Sequence, residues 1–195
     1  MIKSKEDLKF YLKCDEIARF EKHVSLIEKT RYGCMWYFNV VLRRLEYFTN
    51  CKNGIYGKIR CFFLKIAKKF LEQLTGWYIP VNSFGPGLCI VHKGPVIVNP
   101  NSKFGSNVRI NAMVNIGASK GEKNSPCGGN MIYIGPGAII FGDIKLGSNI
   151  AIGANAVVNK SFEESNITIV GVPARIVSSN GCTGYVINVM DYIKR

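Results

Sequence analysis

The sequence lacks most of the features that mark disulfide-bonded, metal-binding and membrane-spanning proteins. Its seven cysteines are odd in number and include no CxxC pair, which disfavours a disulfide framework or a thiolate zinc site and is typical of a reducing cytosol. It has only two histidines, His23 and His92, whereas a zinc enzyme of the carbonic anhydrase kind needs three. Arg43, Arg44 and several lysines interrupt the longest apolar stretches, so no transmembrane helix is expected. The charged residues within 3–7 exclude an ordinary signal peptide.

Proline is absent from residues 1–76, whereas glycine and proline are frequent after them. This change of composition predicts a helical N-terminal segment that ends there, followed by a second domain. Ser4 and Asp7 resemble a capping box and predict a first helix that reaches about residue 28. A second apolar stretch covers 35–48. The third predicted helix carries apolar residues on one face at helical spacing, namely Ile59, Phe62, Phe63, Ile66, Phe70, Leu71 and Leu74.

The positive charge, a net +13, is concentrated in this helical segment. Residues 31–71 contain nine Lys or Arg against Glu46 alone. Such a basic amphipathic segment is typical of peripheral contact with an anionic membrane surface. Its apolar face can equally pack on the rest of the chain or in a subunit interface. No nucleic-acid partner is expected, because the aromatic residues fall on the apolar face and are not free to stack on bases.

A six-residue repeat organises the second domain. Its first position is apolar in two long runs that share one phase, Val98, Phe104, Ile110 and Ile116, then Ile134, Ile140, Leu146, Ile152 and Val158. The fourth position often holds a residue that tolerates a positive φ, namely Asn101, Asn107, Gly137, Asp143, Asn149 and Asn155. We expect three hexads to close one triangular coil, so that neighbouring coils stack into a β-solenoid.

The repeat is interrupted at two places, and interruptions of a rigid scaffold are where binding groups tend to lie. The spacing from Ile90 to Val98 is eight, an insertion of two residues around His92. The polar stretch 119–126 predicts an extruded loop. Histidine is the usual general base for a hydroxyl nucleophile, which makes His92 the candidate catalytic residue. His23 lies in the charged first helix and is expected to be a solvated surface residue.

These motifs resemble the left-handed β-helix hexapeptide-repeat acyltransferases. The hexads, the stretch 90–100 and the Gly-Val-Pro-Ala-Arg run at 171–175 carry the likeness. It is strongest to the serine O-acetyltransferase-like branch, especially to capsular and colanic acid polysaccharide O-acetyltransferases. The implied fold class is mainly β, a left-handed parallel β-helix over 77–177 preceded by the α-helical segment 1–76, with 178–195 as a C-terminal cap or tail.

The resemblance implies acetyl transfer to a hydroxyl with acetyl-CoA as co-substrate and no metal. His92 would remove the acceptor proton, and the alkoxide would attack the thioester directly. Gly117 matches a glycine along the CoA arm, where a backbone N–H would stabilise the oxyanion. CoA would lie along the coil, between subunits of a homotrimer. The matching cofactor-binding positions are Gly135, Pro136 and Ala154, with Lys160 and Arg175 either as partners of the CoA phosphates or as solvated surface charges.

Departures from the family pattern bear on the acceptor. Val91 stands where serine acetyltransferases have the aspartate before the base, and Asn124-Ser125 stand where they have Arg-His. Loss of these charged groups disfavours an amino-acid acceptor, since a zwitterion would lose its partners. A neutral sugar hydroxyl needs no such pair, and Asn111, Asn124 and Ser125 are the predicted acceptor-side residues.

A further departure concerns the group that orients His92. The family supplies a carboxylate near the start of the first coil, and Tyr78 stands closest to that position. Asp143 has the place of an ordinary turn residue in its hexad. Orientation of His92 is therefore expected from Tyr78, from a main-chain carbonyl or from a carboxylate elsewhere in the chain.

The sequence thus favours an O-acetyltransferase that acts on a sugar of a surface polysaccharide or its precursor. The expected location is the cytoplasm, with the inner face of the membrane as an alternative through 31–71. Serine O-acetylation in cysteine biosynthesis is the enzyme alternative. The non-enzyme alternative is a solenoid that serves as a scaffold or membrane-docking module.

Overall fold

In the computed structural model, a group of helices precedes a three-sided coil of short strands. The structure describes residues 1–22, 24–52, 54–119 and 124–193, so the predicted surface role of His23 lies outside the described residues. The helices are α1 (Lys5–Phe20), α2 (Leu26–Arg31), α3 (Cys34–Cys51), α4 (Ile55–Thr75) and the short C-terminal α5 (Met190–Ile193). Within these ranges, every helix is too short or too polar to cross a bilayer.

The first helix starts where the sequence predicts and ends earlier. The hydroxyl of Ser4 accepts a hydrogen bond from the Asp7 amide at 2.9 Å, which caps α1. The helix stops at Phe20 because Glu21 takes the left-handed conformation with φ 60°. A capping box between Ser25 and Glu28 then starts α2. The prediction of one helix to about residue 28 was therefore wrong.

The strands form three sheets that make the sides of the coil. They are β1 (Trp77–Tyr78), β2 (Cys89–Ile90), β3 (Val96–Val98), β4 (Lys103–Phe104), β5 (Val108–Ile110), β6 (Val114–Gly117), β7 (Cys127–Gly128), β8 (Ile132–Ile134), β9 (Ile139–Phe141), β10 (Lys145–Leu146), β11 (Ile150–Ile152), β12 (Val157–Val158), β13 (Ile167–Val170) and β14 (Arg175–Ser178). The first sheet has the order β1-β3-β6-β9-β12, the second β10-β7-β4, and the third β14-β13-β11-β8-β5-β2. Neighbours are parallel except β13 and β14.

The pairing register shows how the two insertions fit the coil. In a regular turn the partners are three hexads apart, as in the pair Ile134 and Ile152. The pair Ile90 and Ile110 spans two residues more, because the His92 insertion lies between them. Ile116 pairs with Ile140, a separation of four hexads, since the loop that includes 119–126 adds six residues. The phase of the repeat therefore survives the loop, although Ile116 and Ile134 lie on different sheets.

Apolar first positions fill the inside of the coil. One column belongs to the third sheet, where every member is fully buried: Ile90, Ile110, Ile134, Ile152 and Ile169. Complete burial of such a side chain is worth about 1.5–3 kcal/mol relative to exposure. A single coil cannot bury its own face, so this stacking holds the solenoid together.

The turns use positive φ at the fourth position, with two exceptions to the prediction. Asn107, Gly137, Asn149 and Asn155 have the expected conformation, whereas Asn101 and Asp143 are absent from the positive-φ residues. Two methionines take it instead, Met113 at φ 64° and Met131 at φ 56°, both at fourth positions of their hexads. At these two corners the left-handed conformation is adopted by a residue type that does not favour it.

A buried ionic network joins the helices to the first coil. The Arg43 guanidinium donates to both carboxylate oxygens of Asp15, at 2.8 and 3.2 Å, and to Glu46 at 3.0 Å. It also donates to the carbonyl oxygens of Phe84 and Gly85. Burial disfavours the charged form, but the two carboxylates outweigh it and raise the pKa of Arg43 above its ordinary value.

The C-terminal segment, expected to cap the last coil, runs back along the third sheet. The Cys182 amide donates to Asn149 Oδ1 at 2.9 Å, and the Tyr185 ring lies 4.7 Å from that of Tyr133. Val189 then belongs to a buried cluster that includes Cys14, Ile17 and Ala18 of α1. This segment therefore reaches from the end of the coil to the helices at its start.

Arg43→Met should strongly destabilise the fold, because it leaves the carboxylates of Asp15 and Glu46 buried without their partner. We expect the free energy of unfolding to fall by about 3–5 kcal/mol in urea denaturation. The matched control is the exposed Arg44→Met, which should stay within about 0.5 kcal/mol of the parent chain. An equally small loss for both variants would contradict the network's structural role.

Candidate active site

His92 lies in the bulge between β2 and β3, at the corner where the third sheet meets the first. His92 is exposed to solvent, whereas hydrogen bonds hold the backbone of the bulge in place. The indole N–H of the fully buried Trp77 donates to the His92 carbonyl oxygen at 3.1 Å. The Gly94 amide donates to the Thr75 carbonyl at 2.8 Å, and Gly94 itself has φ 129°. The two inserted residues therefore form a defined projection from a rigid corner.

The tyrosine predicted to orient the base has other neighbours. The Tyr78 residue is 55% exposed, and the Lys68 Nζ lies 5.8 Å from its ring centroid. It lines a separate cavity with Gly76, Pro95 and part of α4. Among the described residues, Trp77 donates a hydrogen bond to His92, and it does so to the main-chain carbonyl and not to the imidazole. The orienting role of Tyr78 stays a prediction without a supporting contact.

A cavity of about 420 Å³ opens beside His92, and we call it the His92 cavity. Most of its lining is polar, and it includes two groups of opposite charge, Glu21 and Arg109. Within the described part of the chain, neither the Glu21 carboxylate nor the Arg109 guanidinium makes a hydrogen bond or ion pair. The lining residues are Glu21, Val91, His92, Arg109, Asn111, Tyr133, Gly184, Tyr185, Val186 and Ile187.

The His92 cavity lies on the third sheet, between helix α1 and the C-terminal segment, which both pack on this sheet. Arg109 is the central residue of β5 and is in register with Cys89 on one side and Tyr133 on the other. Helix α1 covers Cys89, and burial raises the pKa of this thiol above its ordinary value. The Tyr185 ring of the C-terminal segment covers Tyr133. Arg109 remains accessible because neither covering extends over it.

Helix α1 is anchored at the edge of this cavity. The Arg19 Nη2 donates to the Ile90 carbonyl at 2.7 Å, two residues before His92. Burial lowers the pKa of Arg19 from its ordinary value. Glu21 follows two residues later, at the left-handed end of the helix. The break in α1 that sequence analysis missed thus places a carboxylate at the His92 cavity.

A groove of about 570 Å³ runs along the first sheet on the other side of the corner. It starts at Pro95, three residues after His92, and includes Pro136 and Ala154, two of the positions predicted for CoA. Gly135 lies beneath them, and a Cβ at this residue would be 2.7 Å from the Ala154 amide nitrogen. Glycine at 135 therefore lets adjacent coils approach. His92 lines the His92 cavity, and the groove begins three residues after it in the chain.

The other predicted acceptor-side residues do not come together in the described chain. Asn111 lines the His92 cavity and donates from its amide to the Ile134 carbonyl at 2.9 Å. Asn124 instead donates to Asp143 Oδ2 at 2.9 Å, and Ser125 is buried with its hydroxyl unpaired among the described groups. Neither of the latter lines the cavity. Residues 120–123 of the predicted loop lie outside the described residues.

The remaining predicted positions lie along the coil. Gly117 ends β6, and its carbonyl accepts a hydrogen bond from the Gly142 amide. Lys160 is exposed with its Nζ 5.3 Å from the Phe162 ring centroid, and the exposed Arg175 begins β14. Within the described ranges, no cluster of three His, Cys, Asp or Glu side chains could hold a metal ion.

Sequence reasoning missed Glu21, Arg109, Tyr133 and residues 184–187. Arg109 carried one signal, a charge at the outward-facing middle position of a strand within the repeat. Glu21 carried none, since its place depends on where α1 stops. The contribution of 184–187 depends on the path of the C-terminal segment, which no periodic pattern indicates.

Comparisons with known proteins support the fold and point to one group of enzymes. No protein-family model matches the sequence. The serine acetyltransferase of Staphylococcus epidermidis is 34% identical over 123 residues, which is 60% of this chain and 57% of that protein. The serine acetyltransferase of Mycobacterium tuberculosis is 35% identical over 119 residues, or 60% of this chain and 52% of that protein. The chain thus spans little more than half the length of these curated relatives.

Solved structures extend the likeness to the helical segment. The serine acetyltransferase of Brucella abortus has a TM-score of 0.74 at 24% identity, covering 92% of this chain and 72% of that one. The enzyme of Neisseria gonorrhoeae gives 0.71 at 23%, covering 91% and 68%. The predicted fold class is confirmed, a left-handed parallel β-helix preceded by helices. The nearer likeness to polysaccharide O-acetyltransferases is not shown by these relatives.

Proposed function

We propose that this chain is an acetyl-CoA-dependent O-acetyltransferase whose acceptor is serine. The observation that carries the proposal is that His92 lines a cavity with unpaired charges of both signs, three residues before the first-sheet groove begins. A zwitterion offers the complementary pair of charges. The relatives named as serine acetyltransferases support the same acceptor. The proposal reverses the preference for a sugar, because Arg109 and Glu21 supply charges from positions outside the family pattern.

Direct acetyl transfer requires a general base and binding sites for acetyl-CoA and serine. The His92 imidazole accepts the hydroxyl proton as the serine oxygen attacks the thioester carbonyl carbon. A new C–O bond forms, the C–S bond breaks, and the sulfur leaves with the bonding electron pair. His92 then returns the proton to the sulfur, which gives O-acetylserine and free CoA. A backbone N–H at Gly117 is the proposed donor to the oxyanion.

The groove along the first sheet suits the apolar arm of CoA. Its lining includes Ile97, Met113 and Ile139, which are 47%, 61% and 41% exposed in the single chain. Exposed apolar residues in a groove indicate that something else covers them. We assign this cover to the CoA arm and to a neighbouring subunit of a homotrimer. Lys160 and Arg175 are the proposed partners of the CoA phosphates.

Serine would lie in the His92 cavity with its hydroxyl toward the base. Arg109 has the planar fork of donors that matches a carboxylate, and Glu21 provides the negative charge for the ammonium group. Neither side chain has a partner of opposite charge among the described residues, and serine brings one for each. Asn111 remains close to the acceptor because it belongs to the same strand region as Arg109.

A sugar hydroxyl is the second candidate acceptor. The observation that favours it is the presence of Val91 and Asn124-Ser125 where the resemblance leads us to expect charged serine-binding groups. The polar lining from Asn111 and Tyr133 would then bind sugar hydroxyls. In this alternative, Arg109 would contact an acidic sugar or a phosphate of the precursor.

Removal of the base tests the reaction class. His92→Asn should lower kcat about 100- to 10,000-fold, because general-base catalysis is lost. CoA binding, measured by calorimetry, should stay unchanged. The rate is followed by thiol release from acetyl-CoA, and Lys93→Asn in the same bulge serves as the control. Activity retained by the His92 variant would overturn the assignment of the base.

Removal of the charges tests the acceptor. Arg109→Gln should raise the KM for serine about 10- to 100-fold, since a charge-assisted hydrogen bond is worth about 1.5–3 kcal/mol. Glu21→Gln should also raise this KM, while the KM for acetyl-CoA stays constant. Lys103→Gln, outside the cavity, is the matched loss of a positive charge.

Two results would contradict the serine assignment. The first is an unchanged KM for serine in both cavity variants. The second is faster turnover of a sugar than of serine by the parent enzyme, which would favour the second candidate. A fall in kcat without a change in KM for Glu21→Gln would instead identify Glu21 as the group that orients His92.

A further inference from the structure

We propose that helix α4 lies on the surface of an anionic phospholipid bilayer. Its exposed side carries a continuous apolar stripe in which Phe62, Phe63 and Phe70 are each 60–63% exposed. The stripe consists of Ile55, Ile59, Phe62, Phe63, Ile66, Phe70 and Leu74. An exposed patch of this size on one helix indicates a surface that binds a partner. The inference is independent of the acceptor and of the acetyl-transfer reaction.

The stripe is not the side by which α4 packs on the protein. The buried residues of the helix are Gly57, Leu71 and Thr75, which face α3 and the first coil. A Cβ at Gly57 would lie 2.0 Å from the Lys52 carbonyl oxygen, so the glycine permits the tight turn between α3 and α4. Of the apolar face predicted from the sequence, only Leu71 is buried. The alternative in which this face packs on the rest of the chain was therefore wrong.

Positive charge lies along one side of the stripe and at one residue on the other. On a helical projection, Lys58, Lys65 and Lys69 follow one side, and Arg60 lies on the other beside Tyr56. The Arg60 Nε donates to the Tyr56 hydroxyl at 3.0 Å. If two copies met through this stripe, parallel or antiparallel, basic sides would face each other. An anionic lipid surface complements both sides at once.

A basic groove of about 540 Å³ continues this surface. It is formed where α1, α3 and α4 meet, and its cationic residues are Lys5, Arg44, Lys52 and Arg60. No carboxylate lines it within the described chain. Two of its aromatic residues, Tyr47 and Tyr56, are of the kind found at the level of lipid headgroups. We assign the groove to the headgroup phosphates and the stripe to the acyl boundary below them.

Vesicle sedimentation with the full chain tests the proposal. The probe is vesicles of equal parts phosphatidylglycerol and phosphatidylcholine, compared with phosphatidylcholine alone. We expect the protein to sediment with the first and much less with the second, and added salt should release it. Phe62→Ser with Phe63→Ser should abolish sedimentation. Lys65→Glu with Lys69→Glu should weaken it by at least about 25-fold, since each basic residue near the surface contributes about fivefold.

Matched variants on the coil control for general loss of apolar area or charge. Ile176→Ser with Val177→Ser removes two exposed apolar residues of β14, and Lys103→Glu with Lys145→Glu reverses two exposed lysines. Both should sediment like the parent chain. Circular dichroism would confirm that the α4 variants remain folded, because the altered side chains are exposed.

Two results would overturn the proposal. One is a parent chain that stays in the supernatant with the anionic vesicles. The other is a stripe variant whose mass in light scattering falls to that of a smaller assembly while its vesicle binding is unchanged. The second result would show that the stripe is an interface between copies of this chain.

Discussion

The fold depends on the parallel register between successive coils. Each coil buries its apolar positions only when the same positions of the next coil lie directly above them, as in the third-sheet column from Ile90 to Ile169. A slip of one residue would turn every buried side chain outward. Extra residues can therefore be accommodated only outside the coil, at a corner or in a loop. The His92 insertion is such a case, and the constraint that rigidifies the coil also makes His92 project from it.

The buried network around Arg43 attaches the helices to the first coil in a defined position. Asp15 belongs to α1, Arg43 and Glu46 belong to α3, and the main-chain partners at 84–88 belong to the first coil. A charge removed from water is tolerated here because each donor and acceptor is paired. The network holds α1 against the third sheet, so the end of α1 lies beside the base. The helices are thus part of the candidate site as well as an attachment to the coil.

Periodic features could be read from the sequence, and non-periodic ones could not. Six-residue spacing predicted the coil, its buried column and the bulge at His92, because each of these is repeated or is a departure from a repeat. The end of α1 was missed, since the residue that ends it in the left-handed conformation is Glu21, a residue type that does not mark a helix end. Asn101, Met113, Met131 and Asp143 all hold fourth positions, yet only the two methionines have a positive φ, so neither residue type nor place in the hexad alone predicts which corner is left-handed.

The same distinction explains the change in the proposed acceptor. A position-by-position comparison with the serine acetyltransferase pattern finds Val91 and Asn124-Ser125 in place of charged residues. It cannot find Arg109 and Glu21, which reach the His92 cavity from a repeat strand and from the helical segment. Binding of a zwitterion depends on where charges lie in space, so two sequences with different charged positions can serve the same ligand. The absence of the family's charged residues at 91 and 124–125 therefore does not by itself exclude serine. The charges that α1 and the third sheet bring to the His92 cavity have to be considered as well.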